Sequence, residues 1–314
     1  MAVMSTPPAS DISASQAPPA ALGETASNTV RSAVRAERRR GFLLTSPAIL
    51  FTLVFFVVPF AVMAVHSLWA RENRQIVATW DLRNYAAFLD KPHFRDALLN
   101  SLEITAIVTV VSILLAYPLA WIIATRVPAR WQRLALVLAI LPFWTSYVVR
   151  SYSWLLVFSK KGVINETLLW LGIIAEPLEL AATRTATVIG FVHFFVMLLT
   201  LTIYANLRQL SPNYRRAASD LGANGWQTFV HVILPLTLPG VMVGAFLTFV
   251  LCIGDYITPQ ILGGGNELTL PQVIMLQLGR LADTPSAAAL SIVLMSVVAL
   301  AYIACSRWLK LERG

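Results

Sequence analysis

Long stretches without a charged side chain recur along this chain. Residues 42–68 run 27 positions without Asp, Glu, Lys or Arg; 104–125 run 22; 185–207 and 284–306 run 23 each. Residues 134–158 are interrupted only by Arg150, and a further apolar stretch, 238–257, holds Asp255 near its end. An α-helix rises about 1.5 Å per residue, so about 20 apolar residues cross a hydrocarbon core of about 30 Å. The pattern predicts an all-α membrane protein with six transmembrane helices, at about 42–68, 99–125, 134–158, 185–207, 238–257 and 284–306. No loop is long enough to hold a second domain of about 100 residues. Residues 1–36 are rich in Ala, Ser, Pro and Thr, which predicts a disordered cytoplasmic tail over about 1–40 ahead of one membrane domain over 41–314. Arg38, Arg39 and Arg40 precede the first span, whose apolar run is too long for a cleaved signal peptide and reads as an uncleaved anchor.

Composition agrees. Hydrophobic residues make up 57% of the 314 and charged residues 13%, against about 25% charged in a soluble domain; mean hydropathy is +0.68. A soluble enzyme or binding module is thereby excluded. The net charge of +8 would suggest nucleic acid in a soluble protein, but here it follows the topology. With both termini cytoplasmic, the cytoplasmic segments carry 14 Lys and Arg against five acids, while the opposite segments carry nine against nine. That asymmetry is the positive-inside pattern and leaves no role for nucleic acid. Trp69, Trp131, Trp154 and Trp308 fall at or near span ends, where amphipathic rings settle.

Catalytic machinery is not visible. Gly263-Gly264-Gly265 is followed by Asn266 and Glu267, not by the lysine of a phosphate loop. The four histidines are scattered, the two cysteines lie in apolar runs, and no close carboxylate pair lies in a span. The chain is read as a non-enzyme that binds no cofactor or metal. A solute moved uphill must then draw energy from a partner or from an ion gradient, and a secondary transporter or channel is the alternative reading.

The segment 207–237 is the most informative on the cytoplasmic side. Ser211 and Pro212 read as N-cap and first position of a short helix. Ala217, Ala218 and Leu221 fall on one face, and the small alanines are expected to be exposed. Gly222 suits a left-handed helix stop. Asn224 with Gln227 forms a capping-box pattern, after which Trp226, Phe229, Val230 and Ile233 share one side. Pro235 and Pro239 mark the start of the fifth span. Gly240-x-x-x-Gly244 permits close helix packing, within this chain or at a dimer seam. Glu103, Arg150 and Asp255 sit at one depth. They make either a structural ion pair, Arg150 with Asp255 or Glu103, or a solute site in which carboxylates attract ammonium groups and Trp144, Tyr152, Trp154 or Tyr256 offer cation–π faces.

Ala217-Ala218-x-x-x-Gly222, then nine residues, then Val232-x-Leu234-Pro235, resembles the EAA signature of ABC importer permeases. Arg216 stands where that signature has Glu, and Val232 where it has Ile. Asn100-Ser101-Leu102 resembles the usual opening of the permease domain. Pro142-Phe143-Trp144-Thr145-Ser146-Tyr147, Val149-Arg150-Ser151-Tyr152-Ser153-Trp154, Gly162-x-x-Asn165 and Gly254-Asp255-Tyr256-Ile257-Thr258-Pro259 resemble the spermidine/putrescine branch, which is similar to permeases for opines and other small organic solutes. The resemblance implies the type I, MetI-like fold with a cytoplasmic coupling-helix loop. It places Arg216, Ala217, Ala218, Asp220, Leu221, Gly222, Leu234 and Pro235 against an ABC ATPase dimer that uses ATP and Mg. It also implies a second homologous permease subunit in a heterodimer, an extracytoplasmic solute-binding protein and a bacterial inner-membrane location.

Overall fold

The structure, a computed structural model, describes residue 41, residues 44–265 and residues 267–309, with side chains to Ser306. The tail expected over 1–40 and the surroundings of Asn266 and Trp308 lie outside the described residues. Backbone contacts divide the chain into two units, 1–62 and 63–314. Helix α1 covers Leu44–Ser67. Its 24 residues extend about 36 Å, enough to cross a bilayer. A π turn at Leu53–Val57, closed by the Val58 N–H on the Leu53 carbonyl, immediately precedes Pro59. Proline has no N–H to give and its ring crowds the carbonyl four residues back, so a widened turn lets the helix continue past it.

The second unit begins with a two-stranded antiparallel hairpin, β1 Ala70–Glu72 and β2 Gln75–Val77, with Arg71 opposite Ile76. Its turn puts Asn73 and Arg74 at φ +50° and +66°, the left-handed pair that a tight hairpin requires. Arg83 pairs with Glu72 at 2.6 Å and Asp81 at 2.7 Å. The backbone N–H of Arg83, and then its guanidinium, hold the Asp81 carboxyl below its ordinary range. Two helices follow, α2 Arg83–Asp90 and α3 Pro92–Thr125. The latter has 34 residues, far more than a bilayer needs, and its first turns carry His93, Arg95 and Asp96. The helix therefore starts well before residue 99, where the charge-poor run was expected to begin.

The third span is not continuous. Helix α4, Ala129–Ile140, tightens into a 3₁₀ turn at Leu141–Trp144, and α5, Tyr147–Phe158, leaves at 90° to it. Pro142 begins the tightening and Thr145–Ser146 form the corner. A short α6, Val163–Trp170, occupies the expected loop. Buried Asn165 clasps that loop, donating to the carbonyls of Ser159 (3.1 Å) and Leu178 (3.0 Å) and accepting from the Leu178 N–H (2.8 Å). A Cβ on Gly162 would lie 2.4 Å from the Val157 carbonyl, so the Gly-x-x-Asn pattern has a packing cause. Helix α7, Arg184–Gln209, matches its span, capped by Thr183 on the Ala186 N–H. After it come α8, Asn213–Asp220, and α9, Gly225–Ile253. The helix that carries the expected fifth span thus ends at Ile253, short of Asp255, and begins far earlier than residue 238. Short helices α10, Ile257–Leu262, and α11, Leu270–Gly279, lead to α12, Thr284–Leu309. Among the described residues five helices are long and apolar enough to cross a membrane, six if the bent pair counts as one span.

Helix α7 is the centre of this unit, packing on α3, α9, α5 and α10. Small residues set the spacing. Ala116 and Ala120 of α3 are fully buried against Leu199 and Ile203 of α7, with Ile233 and Val241 of α9 closing the cluster. Gly240 faces Asn206, and Gly244 faces Leu199 and Thr202, all on α7. The glycine pair therefore serves packing within the chain. Ser101 ties α3 to α11: its hydroxyl accepts from the Leu270 N–H at 2.8 Å and donates to the Ala97 carbonyl at 2.9 Å. Without a hydrophobic drive between helices in lipid, such close contacts and internal hydrogen bonds supply the association.

A Cβ on Gly240 would meet the Asn206 side chain at 2.1–2.3 Å. Gly240→Val is expected to destabilise the purified chain by about 1–3 kcal/mol, seen as a lower midpoint in a detergent thermal-unfolding assay, whereas Gly225→Ala, which meets nothing within 4 Å, leaves that midpoint in place.

Candidate coupling elbow and solute path

The elbow between α8 and α9 is built by two opposed capping devices. Helix α8 starts one residue later than expected, with Pro212 at the N-cap and the Ser211 hydroxyl accepting from the Asn213 N–H at 3.3 Å. It ends in a Schellman arrangement: the Gly222 N–H bonds the Ser219 carbonyl and the Ala223 N–H bonds the Ala218 carbonyl. Gly222 takes φ +83°, which a side chain adopts only with strain. Two residues on, Asn224 accepts from the Gln227 N–H and its own N–H donates to the Gln227 side chain, both at 2.9 Å. One helix is thus terminated and the next started within four residues.

The alanine face is divided. Ala218 turns inward and is buried, while Ala217 is exposed with Arg216 and Asp220. The prominent groups are apolar: Leu221 is 89% and Trp226 73% exposed. Behind them Trp226 stacks on Phe229, whose edge contacts reach Tyr117 and Trp121 of α3 at 5.6 and 5.2 Å between ring centroids. The Tyr117 hydroxyl pairs with Thr237 at 2.8 Å. Leu234 packs on the α3–α7–α9 core and Pro235 is exposed. A π turn at Phe229–Ile233 precedes Pro235 as the earlier one precedes Pro59. It keeps α9 unbroken from elbow to span, where the sequence suggested a separate short helix.

The intramembrane charges separate into two places. Glu103 pairs with Arg184 at 2.7 Å, and Arg184 also reaches Glu267 at 3.4 Å; neither expected pairing of Arg150 with a carboxylate forms. Instead Tyr147, Asp255 and Thr258 make a joint between the corner of the third span and the end of the fifth. The Asp255 carboxylate accepts from the Tyr147 hydroxyl, from the Thr258 hydroxyl at 2.8 Å and from the Ile257 N–H at 2.8 Å. Arg150, buried, lies over the Tyr147 ring at 4.9 Å and the Phe194 ring at 4.6 Å, with its Nη1 3.4 Å from the Pro142 carbonyl. Aromatic faces replace the acid that its charge would otherwise need.

Beside this joint a cleft of about 330 Å³ is lined by Thr145, Val149, Arg150, Ser153, Trp154 and His193. The Trp154 indole donates to His193 Nδ1 at 3.0 Å. Trp144 and Tyr152 are exposed, at 83% and 53%, and Tyr256 is at 37%. The structure therefore brings Arg150, Trp154 and Asp255 to one region and leaves Glu103 in another. The spacing Asp255-x-x-Thr258 was a visible capping signal; Tyr147, His193, Phe194 and Arg184 carried none, since their partners lie 39 to 111 residues away or are rings met only on folding.

Comparison with known proteins agrees with this architecture. Residues 29–310 match the family model described as binding-protein-dependent transport system inner membrane component. The chain is 36% identical over 262 residues to the spermidine/putrescine transport system permease protein PotB of Escherichia coli K12, covering 82% of this chain and 94% of that one. It is equally similar to PotB of Salmonella typhimurium SL1344 over 250 residues, 79% of this chain and 86% of the relative. Among solved structures, a bacterial ABC transporter that imports the acidic polysaccharide alginate superposes with a TM-score of 0.68 at 16% identity, over 87% of this chain and 98% of that chain. The chain belongs to the family of binding-protein-dependent transport system inner membrane components and has the MetI-like permease fold.

Proposed function

We propose that this permease carries a polyamine such as spermidine or putrescine, or a related small amine or opine, across the cytoplasmic membrane. In this reading the elbow is the coupling element. Arg216, Ala217, Asp220, Leu221 and Gly222 meet a cytoplasmic ABC ATPase dimer that binds ATP and Mg, while Ala218, Leu234 and Pro235 hold the elbow's shape. A second homologous permease completes the path as a heterodimer, an extracytoplasmic binding protein delivers solute, and both termini are cytoplasmic. The observation that carries the coupling role is the pairing of exposed Leu221 and Trp226 with an α9 that runs unbroken from the elbow to Ile253. Two apolar side chains held out by rigid caps suit a groove on another protein, and force applied there passes straight into a spanning helix.

The substrate class is supported by the extent of identity to the PotB relatives. It is supported also by the Asp255 carboxylate, which hydroxyl and amide donors orient without a cationic partner. With no direct ion pair, the carboxylate can still attract an ammonium group. Tyr256, Trp144 and Tyr152 add exposed ring faces of the kind that hold ammonium ions, and Trp154 with Arg150 walls the adjacent cleft. Glu103, engaged with Arg184, acts as a fixed charge at a distance from it.

Gly222→Arg, or deletion of 216–224, is expected to abolish co-purification of the cognate ATPase while membrane insertion is unchanged. In proteoliposomes, spermidine uptake should require the ATPase, the binding protein and ATP; uptake by this chain alone under a pH or Na⁺ gradient would establish the secondary-transporter reading instead. Asp255→Asn should lower polyamine uptake in the full complex at least tenfold at equal protein amount. Tyr147→Phe, which keeps the carboxylate, should lower thermal stability more than it lowers uptake per folded molecule; equal losses in both variants would make Asp255 a structural residue.

A further inference from the structure

Where α3 ends, the described surface holds a cleft of about 800 Å³ between its last two turns and the elbow. Trp121, Trp226 and Phe229 form its apolar walls, and Arg126 and Arg215 line it as well. A second cleft of about 300 Å³ shares Trp121 and Arg215 and adds Arg208. Among the described residues none of these three arginines has a carboxylate ion pair; Arg215 lies 5.6 Å over the Trp121 ring. The depth is fixed by the chain itself. From Ile104 through Thr125 helix α3 carries no charge, and Arg126 is the first charge after that run, so the cleft lies where hydrocarbon gives way to headgroups. Unpaired guanidinium groups over an aromatic floor at that level match one chemistry: a phosphodiester with an acyl chain attached.

We propose that this cleft binds an anionic phospholipid, Arg126 and Arg215 holding the phosphate and the Trp121 and Phe229 rings covering the glycerol and the first acyl carbons, which leaves the outer face of Trp226 to the ATPase. The site depends on the chain spanning a bilayer and on neither the solute nor the direction of insertion. A lipid seated there touches both the end of α3 and the first turn of α9, so it bridges the elbow to the span that supports it.

Native mass spectrometry of the full-length chain, released from detergent with equimolar dioleoyl phosphatidylglycerol and dioleoyl phosphatidylcholine, tests this. The wild type should retain phosphatidylglycerol at least tenfold over phosphatidylcholine, since each arginine near the headgroups favours an anionic lipid. Arg126→Glu combined with Arg215→Ala should abolish the preference. Arg126→Lys with Arg215→Lys should keep most of it, which guards against misfolding as the cause. Loss of the same size in Arg130→Ala with Arg133→Ala, outside the cleft, would overturn the proposal in favour of diffuse basic attraction. Equal displacement by glycerophosphoglycerol or inorganic phosphate would overturn it in favour of a soluble-anion site.

Discussion

Hydrocarbon offers no partner for a free backbone N–H or carbonyl, so a spanning chain may break its helices only where protein closes the gap. Two helical runs are interrupted here, α4 to α5 at Thr145–Ser146 and α9 to α10 after Ile253, and the same small set of groups closes both gaps. Asp255 caps the start of α10, its second oxygen takes the Thr258 hydroxyl, and Tyr147 ties this cap to the first turn of α5. Arg150 is then held between the Tyr147 and Phe194 rings. A charge, a carboxylate and two interrupted helices thus satisfy one another without a direct ion pair.

Tight helix contact does the complementary work elsewhere. Ala116, Ala120, Gly240 and Gly244 bring α3 and α9 against α7 at distances that larger side chains would forbid. Polar groups then lock the faces, as Tyr117 with Thr237 and Ser101 with Leu270 do. The elbow stands on this block through Phe229 and Trp121, so its shape is set by the same packing that sets the spans.

How much of this was legible in the sequence depended on the range of the interaction. Charge-free length located the spans, because the bilayer imposes that length on any helix. The glycine stop at 222 and the Asn224–Gln227 box were equally readable, being contained in four or five consecutive residues. Span boundaries were less so. The 90° corner at Thr145 looked like one continuous apolar run, since lipid-facing composition does not change when a helix turns. The continuity of α9 through Pro235 was hidden because a π turn absorbs the proline, and proline in a sequence reads as a stop. The pairing of charges was the least accessible. Depth alone grouped Glu103, Arg150 and Asp255, whereas Arg184, Tyr147 and Phe194 decide which of them meet, and only the folded chain puts those three beside them.

The unbroken α9 has a mechanical consequence. Its 29 residues form a rod about 44 Å long, with Trp226 near one end and the Gly254–Asp255 corner just beyond the other. A pivot at the elbow of only 5° would sweep the distal end through roughly 4 Å at that length, more than the reach of a hydrogen bond. Rotation too slight to disturb the aromatic seat of Phe229 is therefore enough to make or unmake the seam at Tyr147, and the stiffness that a widened turn preserves acts as gain.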